Sequence, residues 1–318
     1  MRAAPSVYLA ILCAAFVGAC FYNLRTNGIY ACPAAYPDGG YLGYCNSTGY
    51  GDYDHGAFWF GLEPAASRAA AEAQVLFLGS SRMEFALSTA ATDAWFAANS
   101  ARYYLLGFTH SGNRVFTEPL LARLSPSARI YVIDSEDFFT RRESPPVARI
   151  FHGTDVDSQY RRKKLWQYAH RIVCGPLAFV CGDTVAYYRI RATGAWRFIG
   201  NVGSPTGVSD AADEERDGWQ EAIDLAHSFV SKLPAERGCI LLTIAPSHET
   251  HRARAAAIAE SLGIAFVAPS IPDLKTFDGA HLDRQSAERW AAAFFDAAGP
   301  QIVGCLQQTA TRSSSGLR

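Results

Sequence analysis

The sequence carries almost no net charge: 29 lysines and arginines stand against 30 aspartates and glutamates, leaving −1 over 318 residues. That absence removes the broad positive field with which nucleic-acid binders gather phosphates, and no module of interleaved aromatic and basic residues takes its place. None of the eight cysteines forms a CxxC pair, which excludes zinc-ribbon and thioredoxin-type sites. Glycine loops of Walker or Rossmann spacing are also missing. Mean hydropathy of −0.02 is too low for a polytopic membrane protein. Polarity is too low for disorder, because 49% hydrophobic residues can bury a sizeable core in one large domain or two small ones.

One long apolar run is present. Val7 to Tyr22 holds sixteen residues without a charge, after Met1 and Arg2 and before Arg25. Sixteen residues rise about 24 Å against a ~30 Å hydrocarbon core, so flanking residues would complete a signal anchor over residues 1–24. Cleavage is the rival: Val17, Gly18, Ala19 and Cys20 resemble a bacterial lipobox, and ordinary signal peptidase also cuts after small residues. Arg2 favours an inner amino terminus. The expected location is therefore the cell membrane, single-pass, with the remaining chain in the periplasm or outside the cell. Cys32 with Cys45, and Cys174 with Cys181, close short turn-rich loops of the kind an oxidising compartment bridges. Cys239, beside an apolar run, reads as a buried free thiol.

Residues 28–61 contain eight of the 26 glycines and six of the 15 tyrosines, so residues 25–73 read as an irregular segment. Short apolar runs then recur at Val75–Leu78, Tyr103–Leu106, Ile130–Ile133, Ile240–Ile244 and Ala265–Val267. Helical patterns lie at Met83–Ala98, Arg114–Leu124, Glu214–Lys232, Thr250–Leu262 and Arg284–Ala298. Unbroken strands alternating with helices predict an α/β fold: a parallel sheet buried on both faces in three α/β/α layers, with its ligand site beyond the strands' carboxyl ends. This domain would span residues 74–300, interrupted at about 140–212 by an insertion that could cap the site. Residues 301–318 read as a tail, unstructured from Thr309.

Two segments carry chemistry. Gly79, Ser80, Ser81 and Arg82 follow the first strand and run into a helix, a turn that exposes a hydroxyl beside helix N–H groups. Ser81 through Glu84 also spell a capping box, in which the same hydroxyl would serve only the helix end. Near the other end, Asp278, Gly279, Ala280 and His281 precede the last helix. A serine nucleophile needs an imidazole to take its proton and a carboxylate to orient that imidazole, and spacing of three lets one loop provide both. The lipase elbow G-x-S-x-G is not matched, since Met83 stands where its second glycine belongs.

Together, Val75–Arg82 and Phe277–Asp283 resemble the first and last blocks of the SGNH or GDSL hydrolases, over roughly residues 74–139 and 238–298. The resemblance implies a flavodoxin-like sheet, Ser81 as nucleophile, Asp278 as orienting acid and His281 as general base. It implies an oxyanion hole from Ser81 and Gly112, with Gly107 as a second glycine candidate. The third block departs from the family: Asp134, Ser135, Glu136 and Asp137 occupy the place of an asparagine, so either another donor such as Asn113 substitutes or the hole has only backbone donors. The tether and relaxed third block resemble the exported branch that works beside membrane-bound O-acyltransferases, as in alginate acetylation or teichoic-acid D-alanylation. The implied function is an esterase or O-acyltransferase acting on ester-linked, chiefly acetyl, groups of a cell-surface glycan through an acyl-serine. The alternative is an inactive glycan-binding or assembly subunit.

Implied partners are an acylated carbohydrate, the membrane and a membrane-bound O-acyltransferase, without nucleic acid or cofactor. No metal is expected; His248 and His251 lack a carboxylate partner at zinc spacing. Arg161, Arg162, Lys163 and Lys164 read as a solvated helix face, with an anionic glycan or lipid headgroup as the sharper reading. His110 has no assigned role, and Asn46-Ser47-Thr48 is a sequon that matters only in a eukaryotic secretory pathway.

Overall fold

The structure, a computed structural model, describes residues 5–110, 112–200, 203–211 and 218–315. Its first element, α1 (Pro5–Thr26), is one apolar helix. Ser6–Thr26, 21 residues, is long and apolar enough to cross a membrane and has none of its length buried. At 1.5 Å per residue it covers about 32 Å, closing the shortfall of the uncharged run alone. Met1 and Arg2 lie outside the described residues.

The chain continues through β1 (Gly40–Cys45), β2 (Gly51–Asp52), α2 (Asp54–Trp59) and α3 (Pro64–Glu72). Next come β3 (Val75–Ser80), α4 (Ser81–Leu87), α5 (Ala90–Ala98), β4 (Tyr103–Phe108), α6 (Arg114–Leu124) and β5 (Ile130–Asp134). The insertion supplies α7 (Pro145–His152), α8 (Val156–Cys174), β6 (Ala186–Ile190), β7 (Trp196–Ile199) and β8 (Thr206–Gly207). Finally come α9 (Trp219–Val230), β9 (Ile240–Thr243), α10 (Arg252–Leu262), β10 (Ala265–Phe266), β11 (Lys275–Thr276) and α11 (Arg284–Ser315).

Five strands form the expected parallel sheet, in the order β10-β9-β5-β3-β4. Alternate residues of β3 serve opposite faces, which is why its sequence shows no alternation. Leu76 and Leu78 pack in one cluster with Phe116, Phe229 and Ile258. Val75 and Phe77 pack in the other with Phe96, Trp290 and Phe294. Helices thus cover both faces. The pattern read as one helix at Met83–Ala98 is two, because the Thr89 hydroxyl accepts the Thr92 N–H and starts α5 anew. The start expected for α9 at residues 214–217 lies outside the described residues.

Three expectations are corrected. Residues 25–73 are not irregular: β1 pairs antiparallel with β6, some 145 residues further on, in a second sheet ordered β2-β1-β6-β7. Glycine makes this close packing feasible, since a Cβ on Gly43 would lie 2.3 Å from the Tyr187 ring. Cys239 is not a free thiol but is bonded to Cys305, alongside the Cys32–Cys45 and Cys174–Cys181 pairs. Closing 66 residues of chain, the Cys239–Cys305 bond is worth about 4 kcal/mol in the loop-entropy account. Nor does the chain lose structure at Thr309, because α11 continues past Pro300 to Ser315.

Where the two sheets meet sits Arg189, fully buried. Its guanidinium grips both oxygens of Asp54, with Nε at 3.1 and 2.9 Å and Nη2 at 2.7 Å. It also donates to Glu84 at 3.2 Å, to the Leu105 carbonyl at 2.7 Å and to the Gly107 carbonyl. One cation faces two carboxylates. Burial pushes the Glu84 carboxyl up to about 8 against the pull of Arg189 and the Gly107 N–H, so it is largely protonated at neutral pH. A carboxyl that is harder to ionise when folded stabilises the fold fully below its ordinary range, and loses that contribution as pH rises through the folded value.

Two variants test this knot by chemical denaturation. Arg189→Met leaves Asp54 buried and unpaired and is expected to cost about 3–5 kcal/mol. Glu84→Gln keeps the neutral shape and is expected to flatten the dependence of stability on pH between 5 and 8.

Candidate active site

The turn after β3 separates two serines that the sequence leaves ambiguous. Ser80 is the residue that caps α4: its backbone is extended and its Oγ accepts the Arg82 N–H at 3.2 Å. Glu84 does not reach back to the helix start, because its Oε1 accepts the Gly107 N–H at 2.7 Å and meets Arg189. The capping-box reading of Ser81 is therefore replaced. Gly79 fits this corner because a Cβ there would come 2.8 Å from the Asp134 Cβ. Ser81, released from capping, points its Oγ 2.8 Å from His281 Nε2 across 200 residues of sequence.

The partner loop lies between β11 and α11. Asp278 Oδ1 accepts the backbone N–H of Ala280 at 3.0 Å and of His281 at 2.9 Å, while Oδ2 lies 2.7 Å from His281 Nδ1. One carboxylate thereby folds the turn and orients the ring, which is what spacing of three permits. Gly279 takes φ +87°, a conformation other residues adopt at a cost. Burial opposes the charge on Asp278, but the hydrogen bond and charge of His281 with the two N–H donors hold its carboxyl below the ordinary value. The His281 ring stacks on Phe277 at 5.6 Å and leans on Phe85 at 4.7 Å. His248 steadies the loop by bonding the Gly279 carbonyl from both its N–H and Nδ1. With Nδ1–H donated to Asp278, Nε2 is free to accept the Ser81 hydroxyl proton.

A cleft of about 230 Å³ opens beside Ser81 and His281. Tyr44 of β1, Tyr187 of β6, and Trp196 and Phe198 of β7 form much of its wall, so both the amino-terminal segment and the insertion shape it. Thr109 and His110 also line it. They follow β4, whose Phe108 is in register with Ser80, and His110 is held at φ +54°.

The residues considered for an oxyanion hole are placed differently. Asn113 is buried, its amide donates to the Arg142 carbonyl at 2.9 Å, and its oxygen caps α6 through the Val115 N–H. The Gly107 N–H is taken by Glu84. Gly112 packs on Phe108 and does not line the cleft; a Cβ would come 2.7 Å from that residue's carbonyl oxygen. No sequence motif singles out Thr109; its place one residue beyond a strand next to β3 is the available signal. The acidic third block turns away. Asp134 Oδ1 accepts the Ala245 N–H, the Ser135 hydroxyl donates to the Thr243 carbonyl, and Glu136 pairs with Arg82 at 2.5 Å. Burial and the nearby Glu136 push the Asp134 carboxyl up to about 7.

Among the described residues one group, His170 with Cys174 and Cys181, has metal-ligand donors close together. Its two sulfurs are consumed in a disulfide, and His170 bonds Tyr36 and the Cys32 carbonyl. The chain matches no protein-family model, no curated protein and no solved structure.

Proton NMR tests the ring's orientation without assuming any activity. A downfield resonance from the hydrogen-bonded His281 Nδ1–H is expected in the wild type and should vanish in Asp278→Asn.

Proposed function

We propose that this protein is a membrane-tethered serine enzyme of acyl transfer, acting on ester-linked acyl groups of a cell-surface glycan. The observation that carries the reading is the Ser81–His281–Asp278 relay, with steps of 2.8 and 2.7 Å. His281 Nε2 takes the Ser81 proton as Oγ attacks the ester carbonyl. The tetrahedral intermediate collapses to acyl-Ser81, and the leaving alcohol receives the proton from His281. Water or a sugar hydroxyl, deprotonated in turn by His281, then accepts the acyl group. Oxyanion donors would come from the backbone at Ser81 and the loop after β4, where Thr109 and His110 line the cleft.

The resemblance to SGNH hydrolases supports the same roles for the three residues. The aromatic wall supports an acyl-binding cleft. Its 230 Å³ exceeds the roughly 150 Å³ apolar cavity that accommodates benzene, so groups larger than acetyl fit. Three disulfides suit an oxidising compartment, and α1 is long enough to hold the domain at a membrane facing it. One observation favours the inactive-subunit alternative: the commitment of Asn113 to Arg142 leaves that side chain unavailable to an oxyanion.

A fluorophosphonate probe applied to the purified full chain separates the two readings. Labelling of wild type and its loss in Ser81→Ala are expected, with turnover of a 4-nitrophenyl ester falling by about 10³-fold or more in Ser81→Ala and His281→Ala. A folded wild type that resists the probe would sink the enzymatic reading. Across a 4-nitrophenyl ester series, kcat/KM is expected to rise from acetyl to longer acyl groups.

A further inference from the structure

Helix α8 is built inside out. Its inward side carries Tyr160, Lys163, Gln167 and His170, all buried, while Leu165, Tyr168 and Ile172 face solvent at 69%, 70% and 55% exposure. The inner polar groups are each satisfied. Lys163 donates to the Asp52 carbonyl, Gln167 bonds both the N–H and the carbonyl of Leu42, and His170 bonds Tyr36 and Cys32. Spacing of three and four places Leu165, Tyr168 and Ile172 on one outward stripe. At 100° per residue, Arg162 flanks the stripe on one side and Arg171 on the other, beside Lys164, whose ammonium is turned to the Leu62 carbonyl.

The stripe continues around the Cys174–Cys181 loop into Leu177 and Phe179, at 45% and 64% exposure. There it meets the end of α1: Arg25 Nη1 donates to the Phe179 carbonyl at 2.6 Å, and Gly182 packs so closely that a Cβ would lie 2.6 Å from the Arg25 carbonyl oxygen. Among the described residues, every large hydrophobic side chain that is exposed outside α1 lies between Leu165 and Phe179.

We infer that the Leu165–Phe179 surface lies in the interface of the bilayer that α1 enters, with Arg162 and Arg171 reaching anionic lipid headgroups. The inference rests on α1 being a retained membrane anchor. Three features favour lipid as the occupant. The patch adjoins the end of the helix that would emerge from the bilayer. Its apolar stripe is framed by cations whose stems can lie along apolar surface while their heads reach headgroups. The reversed polarity of α8 suits a helix whose outer neighbour is hydrocarbon. Attachment at α1 and α8 together would hold the domain at one tilt, and the cleft beside Ser81 at one height above the membrane.

The test uses the full chain in nanodiscs containing anionic lipid. Tyr168→Cys and Ile172→Cys, each with Cys13→Ala and Cys20→Ala, are labelled with an environment-sensitive fluorophore. Ala97→Cys, exposed on α5 at the opposite face of the parallel sheet, is the aqueous control. Native Cys13, labelled alone with Cys20→Ala, reports α1 independently. Labels at 168 and 172 are expected to be quenched by nitroxide lipids about threefold or more above the control, and shielded from aqueous iodide. Iodide reaching both as freely as residue 97, while Cys13 is in lipid, overturns the inference and leaves the anchor standing. A label on Cys13 that is itself in water overturns both. Shielding from iodide and nitroxide lipid alike overturns it in favour of a protein partner on this surface.

Discussion

A guanidinium cut off from water must have its N–H groups answered by the protein, and Arg189 meets that demand by drawing on both sheets at once. It projects from β6, yet its acceptors are Asp54 of α2, Glu84 of α4 and the carbonyls of β4. The antiparallel sheet therefore has little freedom to shift against the parallel one. Removing the cation would strand Asp54, whose two oxygens also receive the hydroxyls of Tyr41 and Tyr187. Glu84 avoids the same problem by remaining largely neutral, since one arginine can offset one buried charge but not two.

Glu84 lies three residues after Ser81 on α4, so the knot also governs the candidate site. Its hold on the Gly107 N–H fixes α4 against β4, and β4 delivers Thr109 and His110 to the cleft. The opposite wall descends from the strand that carries Arg189: Tyr187 stacks on Trp196 with ring centroids 3.7 Å apart. Ser81 and the aromatic wall of the cleft thus come from different sheets, joined through Arg189 and through backbone bonds of the β6–β7 hairpin to Leu105 and Ser88.

The parallel sheet is legible in the sequence because strands buried on both faces are written as unbroken apolar runs, and all five begin where the runs begin and end within two residues of them. The second sheet was not. Gly40–Cys45 looks like loop composition, and its strand character appears only against Tyr187 and its neighbours, about 145 residues away. Cys239 looked inert beside an apolar run because its partner, Cys305, lay beyond the helix end expected at Ala298. The basic run at 161–164 has the composition of one solvated face, but helical geometry turns Lys163 inward and leaves its neighbours outside.

By itself the sequence determined the alternation that builds the α/β core, the apolar helix at the amino terminus and the short Asp278–His281 turn. These are local: periodicity, hydrophobic length and three-residue spacing are properties of contiguous chain. Tertiary structure alone decided which serine caps α4 and which faces His281. It also decided that Asn113 is occupied, and that residues 40–52 and 186–199 form one wall. Each of these depends on which distant group satisfies a given donor or acceptor, and that competition is settled only when the chain is folded.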